Sequence, residues 1–362
     1  MTVQTASARR SGIWLPPLSI VIPVITVMLT LLVGLFLIWL TGVPMEDAIE
    51  GFTDGAFGSG YVIAASINRS VAYALVGLGF VMAARANLTN VGGEGQIAVG
   101  GMAATAVALY GGVQGLPIGL AFIFPMLAAI IVGAAWGALA GVLKVKAGTN
   151  EVISTLLLTF IGIWLLYGAV QSTDFLRRPM TTTATLPESL EIPDPTKLPL
   201  LLGDPSVPLN IGLLITIVLA IAVWLILTKT MFGWRLRAVG LNELASRRAG
   251  IPYAETIILA MAIAGGFGGL AGAVMLQGDQ YSLKSGFSSG YGFDGLVIGL
   301  LARGSVPGVI AAALLFGFLR SGGINMEMVA QVPSAIVMVI QGLIVVTLAA
   351  VAFWFDRAKV TR

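Results

Sequence analysis

Apolar runs of about 20 residues recur along the whole chain, and they restrict the possible folds more than any other feature. A membrane-spanning helix requires roughly 20 apolar residues. No charged block of domain size separates the runs, and 57% of the 362 residues are hydrophobic whereas only 10% are charged. Such a composition cannot cover a water-exposed surface. The sequence therefore predicts an all-α polytopic membrane protein with no soluble domain.

Boundaries set by glycine, proline and charge predict about ten transmembrane helices. The predicted spans are 20–40, 61–84, 97–113, 118–143, 152–170, 211–227, 257–276, 293–302, 306–319 and 334–355. The first span is too long for the apolar part of a signal peptide, and we interpret it as uncleaved. The eighth and ninth are too short to cross the bilayer as straight helices, so they are predicted to be half-helices or one re-entrant pair.

Charge predicts the orientation of these spans. Ten crossings place both termini on one side, and basic residues such as Lys144, Arg235 and Arg357 are concentrated in the connections of that side. Because positive loops stay in the cytoplasm, both termini are predicted to be cytoplasmic. The predicted parts are a cytoplasmic segment 1–19, a transmembrane domain 20–355 with a loosely structured Pro-rich outer loop 171–209 and a cytoplasmic loop 229–253, and a cytoplasmic tail 356–362.

The absence of two residue types excludes whole classes of chemistry. The sequence has no cysteine and no histidine, which removes disulfides, thiolate nucleophiles, imidazole bases and nearly every usual transition-metal site. No Gly-x-x-x-x-Gly-Lys-Ser/Thr loop occurs, so the chain has no P-loop of its own. We therefore expect a transport protein rather than an enzyme, with no cofactor and no metal in this chain. A net charge of +3 is too small to indicate nucleic-acid binding.

A short helix is predicted inside the cytoplasmic loop. Asn242 is a favourable N-cap, Gly250 suits the position after the C-cap, and Pro252 prevents continuation. The charges match the helix dipole, with an acid at the start and Arg247 and Arg248 at the end. A rigid surface helix could dock into a partner, or the loop could simply fix the topology; the residues alone leave both interpretations open.

Three polar blocks adjoin the spans and are candidates for the solute pathway. In the block 86–96, the Gly-rich backbone around Glu94 must be buried in protein or line a wet cavity, unless it is an ordinary turn. In the block 148–155, polar side chains share one helical face, where they could bind a solute or link helices. The block 290–295 opens the short eighth span and adds Phe293 and Asp294 as candidates.

The first and third of these blocks resemble each other. Glu94-Gly95 begins one span and Asp294-Gly295 begins another, five spans later. An odd separation gives two halves of opposite topology, so we hypothesise a 5+5 inverted repeat with the solute at its interface. Glycines at 133, 137 and 141 and at 265, 268, 269 and 272 predict close helix packing.

Four ordered blocks give the chain a specific resemblance. They are ARANLTNVGGEGQIAVGG, GTNEVISTLLL, LRAVGLNELASRRAGI and GYGFDGLVIGLLARGSVPGVIAAALLFG. The chain resembles the permease subunits of ATP-binding-cassette (ABC) importers grouped with branched-chain amino acid and simple-sugar systems, and it is most similar to their purine-nucleoside branch. It departs from them at Thr159, where members often carry Asn.

The resemblance implies roles for particular residues. The coupling helix, which docks on the ATPase, comprises Asn242, Glu243, Ala245, Ser246, Arg247, Arg248, Ala249 and Gly250. Residues implied to line or gate the pathway are Asn90, Glu94, Gln96, Asn150, Glu151, Ser154 and Thr155.

The resemblance also implies a location in the bacterial cytoplasmic (inner) membrane, partners and a solute. The partners are a second homologous permease, an ATPase that carries ATP and Mg²⁺, and an extracytoplasmic solute-binding protein on the Pro-rich loop. The chain would then form half of a pathway for a small polar solute. A nucleoside is the favoured solute, and ribose-like sugars and branched-chain amino acids are the alternatives. The alternative of another class is a secondary transporter driven by an ion gradient. Such a transporter would place carboxylates within its spans, whereas nearly all acids here fall at predicted span ends or in loops.

Overall fold

Twelve α-helices make up most of the part of the chain that the structure describes. The computed structural model describes residues 18–117, 119–180, 186–333, 335–343 and 346–347. The helices are α1 (Leu18–Leu40), α2 (Met45–Phe57), α3 (Gly60–Ala84), α4 (Gly93–Tyr110), α5 (Ile123–Ala147), α6 (Glu151–Gln171), α7 (Gly212–Lys229), α8 (Met231–Leu241), α9 (Glu243–Arg248), α10 (Tyr253–Met275), α11 (Tyr291–Leu301) and α12 (Val306–Ala330). The described residues form no strand, only isolated β-bridges.

Six of the described helices are long and apolar enough to cross a membrane: α3, α5, α6, α7, α10 and α12. The protein is therefore a multi-pass membrane protein, as predicted, while a count of about ten spans is not established. The predicted segment 1–19 lies outside the described residues except for its last two, and the tail 356–362 and half of the tenth span also lie outside them.

The described residues divide into two compact units. The first contains α1 and the helical residues 335–343, and within it Gly34 packs directly against Ile340. The second unit is Val43–Ser334 and contains the other eleven helices.

Helix α10 is at the centre of the second unit because its glycines allow other backbones to approach. A Cβ atom added to Gly265 would overlap the carbonyl oxygen of Gly133 on α5, and one added to Gly272 would overlap that of Ile97 on α4. Small residues permit this approach in membrane helices. The close packing predicted at these glycines is confirmed.

The structure differs from the predicted spans and connections in two places. The predicted short ninth span 306–319 is the first part of α12, a 25-residue helix. Its continuation 320–330 is partly buried, with Ser321 enclosed, so the helix does not end where the apolar run ends. The predicted outer connection between the first two spans contains α2, a 13-residue helix whose Gly51 and Gly55 pack against α12.

The Pro-rich loop is ordered over its described part, contrary to the prediction of a loose cap. Its backbone N–H groups at Ser189, Ile192 and Leu198 donate to carbonyl oxygens of residues 283, 281 and 277 at 2.8, 2.9 and 2.9 Å. Lys197 bridges Asp194 and Glu191 within the loop at 2.7 and 2.6 Å, and its hydrogen bonds to these two carboxylates raise the pKa of the ammonium group. The loop is therefore fastened to the segment that follows α10.

Candidate translocation site

Helix α4 begins in the interior of the second unit. After α3 ends at Ala84, residues 85–92, here called the re-entrant segment, turn back along α3. A Cβ atom on Gly93 would lie 3.0 Å from Val76, which precedes the end of α3 by eight residues. At about 1.5 Å per residue, α4 therefore begins about 12 Å inside the end of α3. The block around Glu94 is not an ordinary surface turn.

Side chains of α4 and α6 satisfy the polar groups of the re-entrant segment. Asn90 and Gln96 are buried and exchange two amide hydrogen bonds at 3.1 and 3.2 Å. Thr155 Oγ1 accepts from the Val91 N–H at 3.1 Å, and Thr159 Oγ1 donates to the Val91 carbonyl oxygen at 3.4 Å. Non-helical backbone at membrane depth needs such internal partners. Three predicted pathway residues, Asn90, Gln96 and Thr155, thus hold this segment in place.

Glu94 bonds to the start of a second interior helix. Its side chain is only 4% exposed. Oε1 accepts from the Gly290 N–H at 2.7 Å, and Oε2 accepts from the Gly292 N–H at 2.6 Å. A carboxylate is favourable at a helix N-terminus because free N–H groups and the helix dipole concentrate positive charge there. Glu94 therefore caps α11 from across the site, and a Cβ atom on Gly292 would overlap the Glu94 backbone.

Helix α11 runs beside the second half of α3. Asp294 accepts a hydrogen bond from the Tyr73 hydroxyl at 3.1 Å, and the rings of Tyr73 and Tyr291 stack with centroids 4.5 Å apart. Near the other end of the helix, Gly299 packs on Phe80. With 11 residues, α11 covers about half of a hydrocarbon layer. This matches the predicted half-helix, whereas α12 is not a half-helix.

The acids Glu94 and Asp294 begin helices, yet both lie in the interior. The argument against a secondary transporter assigned these two acids to span ends. The structure places them in the interior instead, so that assignment is wrong. Phe293, which precedes Asp294 in α11, is 38% exposed.

Three other predicted pathway residues lie apart from Glu94, at the first turn of α6. The exposed Asn150 is the N-cap and accepts from the Val152 N–H at 2.8 Å. Glu151 pairs with Lys144 of α5 at 2.7 Å, and Ser154 donates to the Thr149 hydroxyl at 3.0 Å. These contacts fix the start of α6, so the structure does not bring these residues together with Glu94.

Two arginines within long helices were not identified as site residues from the sequence. Arg69 lies in α3 and donates to Ser321 Oγ at 2.7 Å, and Arg320 lies in α12 and donates to the Ser289 carbonyl oxygen at 3.3 Å. Charged residues within spans are costly and are usually functional. The signal for Arg69 was present, because it interrupts a predicted span, whereas Arg320 was assigned to a connection.

The predicted surface helix is α9, and its ends are as expected. Asn242 Oδ1 accepts from the Ala245 N–H at 2.9 Å. At the other end Gly250 has a φ of 76°, and the N–H groups of Gly250 and Ile251 donate to the carbonyls of Arg247 and Ser246 at 3.1 and 3.0 Å. This is a Schellman ending, which favours glycine at this position.

The exposed residues of α9 form a small surface beside α8. Ser246 is buried, whereas the other α9 residues are exposed, and Leu244 is 59% exposed. Arg247 is held by Glu243 at 2.9 Å and lies over the Tyr253 ring at 4.0 Å. Arg248 is exposed as well. The helix preceding it, α8, touches the re-entrant segment, because a Cβ atom on Gly240 would overlap the Arg85 carbonyl oxygen.

Curated relatives match nearly the whole chain. The guanosine ABC transporter permease protein NupP of Bacillus subtilis is 31% identical over 94% of this chain and 97% of its own length. The glucose ABC transporter permease protein TsgB13 of Haloferax volcanii is 33% identical over 93% and 89%, respectively. The nucleoside ABC transporter permease protein NupB of Lactococcus lactis is 31% identical over 88% and 89%.

No solved structure matches the chain significantly. The family model described as branched-chain amino acid transport system / permease component matches residues 62–349, which include every described helix from α4 to α12. The multi-pass helical architecture and this match agree, and the chain belongs to this family of permease components.

Proposed function

We propose that this chain forms half of the pathway of an ABC importer for nucleosides. The observation that carries the proposal is the chain-length similarity to a guanosine permease and a nucleoside permease, on a fold whose interior presents two facing helix starts. The glucose permease has similar identity, so ribose-like sugars and hexoses are the first alternatives. Branched-chain amino acids, named in the family description, are the next.

The proposed partners follow from the ABC class. ATP hydrolysis takes place on a separate ATPase, which supplies ATP and Mg²⁺, and a solute-binding protein delivers the solute from outside. A second permease completes the pathway. In support of this pairing, the chain resembles both NupP and the guanosine ABC transporter permease protein NupQ of B. subtilis, the latter at 27% identity over 72% of the chain.

The proposed mechanism is alternating access, controlled at Glu94. From the α9 side, movement of the ATPase reaches α8, then the re-entrant segment at Arg85, then Glu94; contacts along this route are in place. From the opposite side, a binding protein on the Pro-rich loop reaches residues 277–283, which lead to Gly290 and α11. Both routes meet at the bonds between Glu94 and the start of α11.

The relation between α4 and α11 supports the inverted-repeat hypothesis. The two helices start face to face and run to opposite sides of the second unit. In many transporters broken helices of two inverted repeats meet in this way at the solute site. The nine residues Asn90, Glu94, Gln96, Asn150, Glu151, Ser154, Thr155, Phe293 and Asp294 remain proposed pathway residues, with solute contact favoured at the partly exposed Phe293 and Asp294.

Uptake by the reconstituted complex tests the proposed function. The permease pair, ATPase and binding protein would be placed in liposomes and supplied with labelled guanosine, adenosine, ribose, glucose and leucine. We expect ATP-dependent uptake of nucleosides and none of leucine. Uptake of a sugar without nucleosides would replace the proposed solute, and gradient-driven uptake by this chain alone would contradict the ABC mechanism.

A further inference from the structure

Arg69 and Arg320 are two half-buried cations within long helices of the second unit. Arg69 follows the start of α3 by nine residues, and Arg320 precedes the end of α12 by ten. These distances correspond to about 14 and 15 Å along the helices. The Arg69 side chain bonds to Ser321, the residue next to Arg320, and both arginines are within electrostatic range of Tyr291, so the two residues lie in the same part of the second unit.

The partners of both guanidinium groups are neutral. Arg69 donates to a serine hydroxyl and Arg320 donates to a backbone carbonyl oxygen at 3.3 Å. Among the described residues, no carboxylate lies within 4.0 Å of either group. The Arg320 Nε atom is buried and makes no hydrogen bond within the described part of the chain. A buried N–H donor without an acceptor costs free energy, and charged residues within spans are usually functional.

Two nearby carboxylates are already engaged by other donors. Glu94 binds the N–H groups at the start of α11, and Asp294 binds the Tyr73 hydroxyl. The arginines and Asp294 are all within electrostatic range of Tyr291, whose ring stacks on Tyr73. The region thus offers cationic donors beside aromatic rings, while the exposed Asp279 is a further carboxylate within electrostatic range of Tyr291. This region suits a planar solute group that presents hydrogen-bond acceptors.

We propose that Arg320, supported by Arg69, is a solute subsite that binds the O6 and N7 acceptors of a 6-oxopurine nucleoside. The proposal rests on the proposed nucleoside function and extends it to a choice among nucleosides. The planar fork of arginine matches O6 and N7 of guanine, whereas adenine places an amino donor where guanine has O6. Both arginine residues are half-buried, so part of each side chain is open to a solute, although the Arg320 Nε atom itself is enclosed. Guanosine and inosine are therefore preferred over adenosine.

Selectivity of the reconstituted complex tests the subsite. Uptake rates for guanosine, inosine and adenosine would be compared at saturating binding protein in wild type and in Arg320→Gln and Arg320→Lys. Loss of a bidentate contact is expected to lower the ratio of guanosine to adenosine uptake by roughly tenfold. Arg320→Lys keeps the charge but loses the fork, so it should shift this ratio in the same direction.

A structural role of the arginine would produce a different pattern. Equal losses for all nucleosides, or an unchanged ratio in both Arg320 variants, would overturn the subsite. If Arg320→Gln does not assemble, Arg320→Lys and Arg69→Gln give the same comparison, and the thermal midpoint of each purified variant reports its folding. A wild-type complex that imports sugars and no nucleoside would refute the proposed function and this subsite together, a result distinct from failure of selectivity alone.

Discussion

Glu94 shows how one residue can join two helices that are far apart in sequence. Its carboxylate accepts two N–H groups at 2.7 and 2.6 Å, one from each of two glycines at the start of α11. These N–H groups have no partner within their own helix because they belong to its first turn. The residue therefore determines where α11 begins.

Replacing Glu94 by glutamine is predicted to weaken this junction. An amide has a single acceptor oxygen, and its NH₂ group would face an N–H donor. The unsatisfied N–H group costs about 1–3 kcal/mol, and the charge interaction with the helix start is also lost. We expect Glu94→Gln to lower the thermal midpoint and to abolish most uptake. The control is Glu46→Gln, which changes an exposed glutamate in the first turn of α2; equal behaviour of the two variants would contradict the role of Glu94.

Residue types and local patterns made Glu94 predictable, but not its partners. A Gly-rich polar block beside an apolar run has to be buried or wet, and this consideration identified the block. The partner glycines are 196 and 198 positions away, and a backbone N–H group has no sequence signal. Thr155 and Thr159 were similarly visible as polar residues, whereas their bonds to Val91 depend on the packing of α6.

At the scale of elements, helix ends were predicted well where capping residues mark them and poorly where polarity changes inside a helix. Helix α9 has an Asn cap and a terminal glycine, and its bounds follow from them. Helix α12 was cut short because its apolar run ends at Arg320. Its later polar residues are satisfied by other helices; for example, Asn325 donates to the Gly51 carbonyl oxygen of α2 at 2.7 Å.

Variants in α9 and in α8 are predicted to have different effects: the first should weaken docking of the ATPase, and the second should weaken transmission of its movement to the re-entrant segment. Arg248→Glu reverses an exposed charge on α9 and should weaken binding of the ATPase. Gly240→Ala leaves that face intact but forces α8 away from the Arg85 carbonyl oxygen. This variant should therefore bind the ATPase normally, while ATP hydrolysis stimulated by the loaded binding protein falls severalfold.

Co-purification of the ATPase and stimulated ATP hydrolysis measure the two effects. Lys229→Glu is the charge control, since it is exposed and lies outside α9. Gly168→Ala is the glycine control, because a Cβ atom there meets nothing within 4 Å. Loss of stimulation in Gly168→Ala, or normal stimulation in Gly240→Ala, would show that the Gly240 contact does not transmit the signal.

At the scale of the whole molecule, the apolar runs predicted the class of fold, and charge predicted its orientation. The comparison with known proteins supports a membrane permease, but the side on which each loop lies is still a prediction. Arg69 and Arg320 lie within long helices and therefore do not belong to the basic residues of the predicted outer side. Removing them makes the asymmetry of the loops stronger.

Labelling of single cysteines tests this orientation directly, since the natural chain contains no cysteine. Leu202→Cys places a thiol in the Pro-rich loop and Leu241→Cys places one at the end of α8; the two leucine side chains are 64% and 82% exposed. In intact cells, a membrane-impermeant maleimide should label the Leu202→Cys variant and not the Leu241→Cys variant, and inverted vesicles should give the reverse. If α8 and α9 were labelled from outside, the ATPase could not reach them, and the route from α9 to Glu94 would have no source of energy.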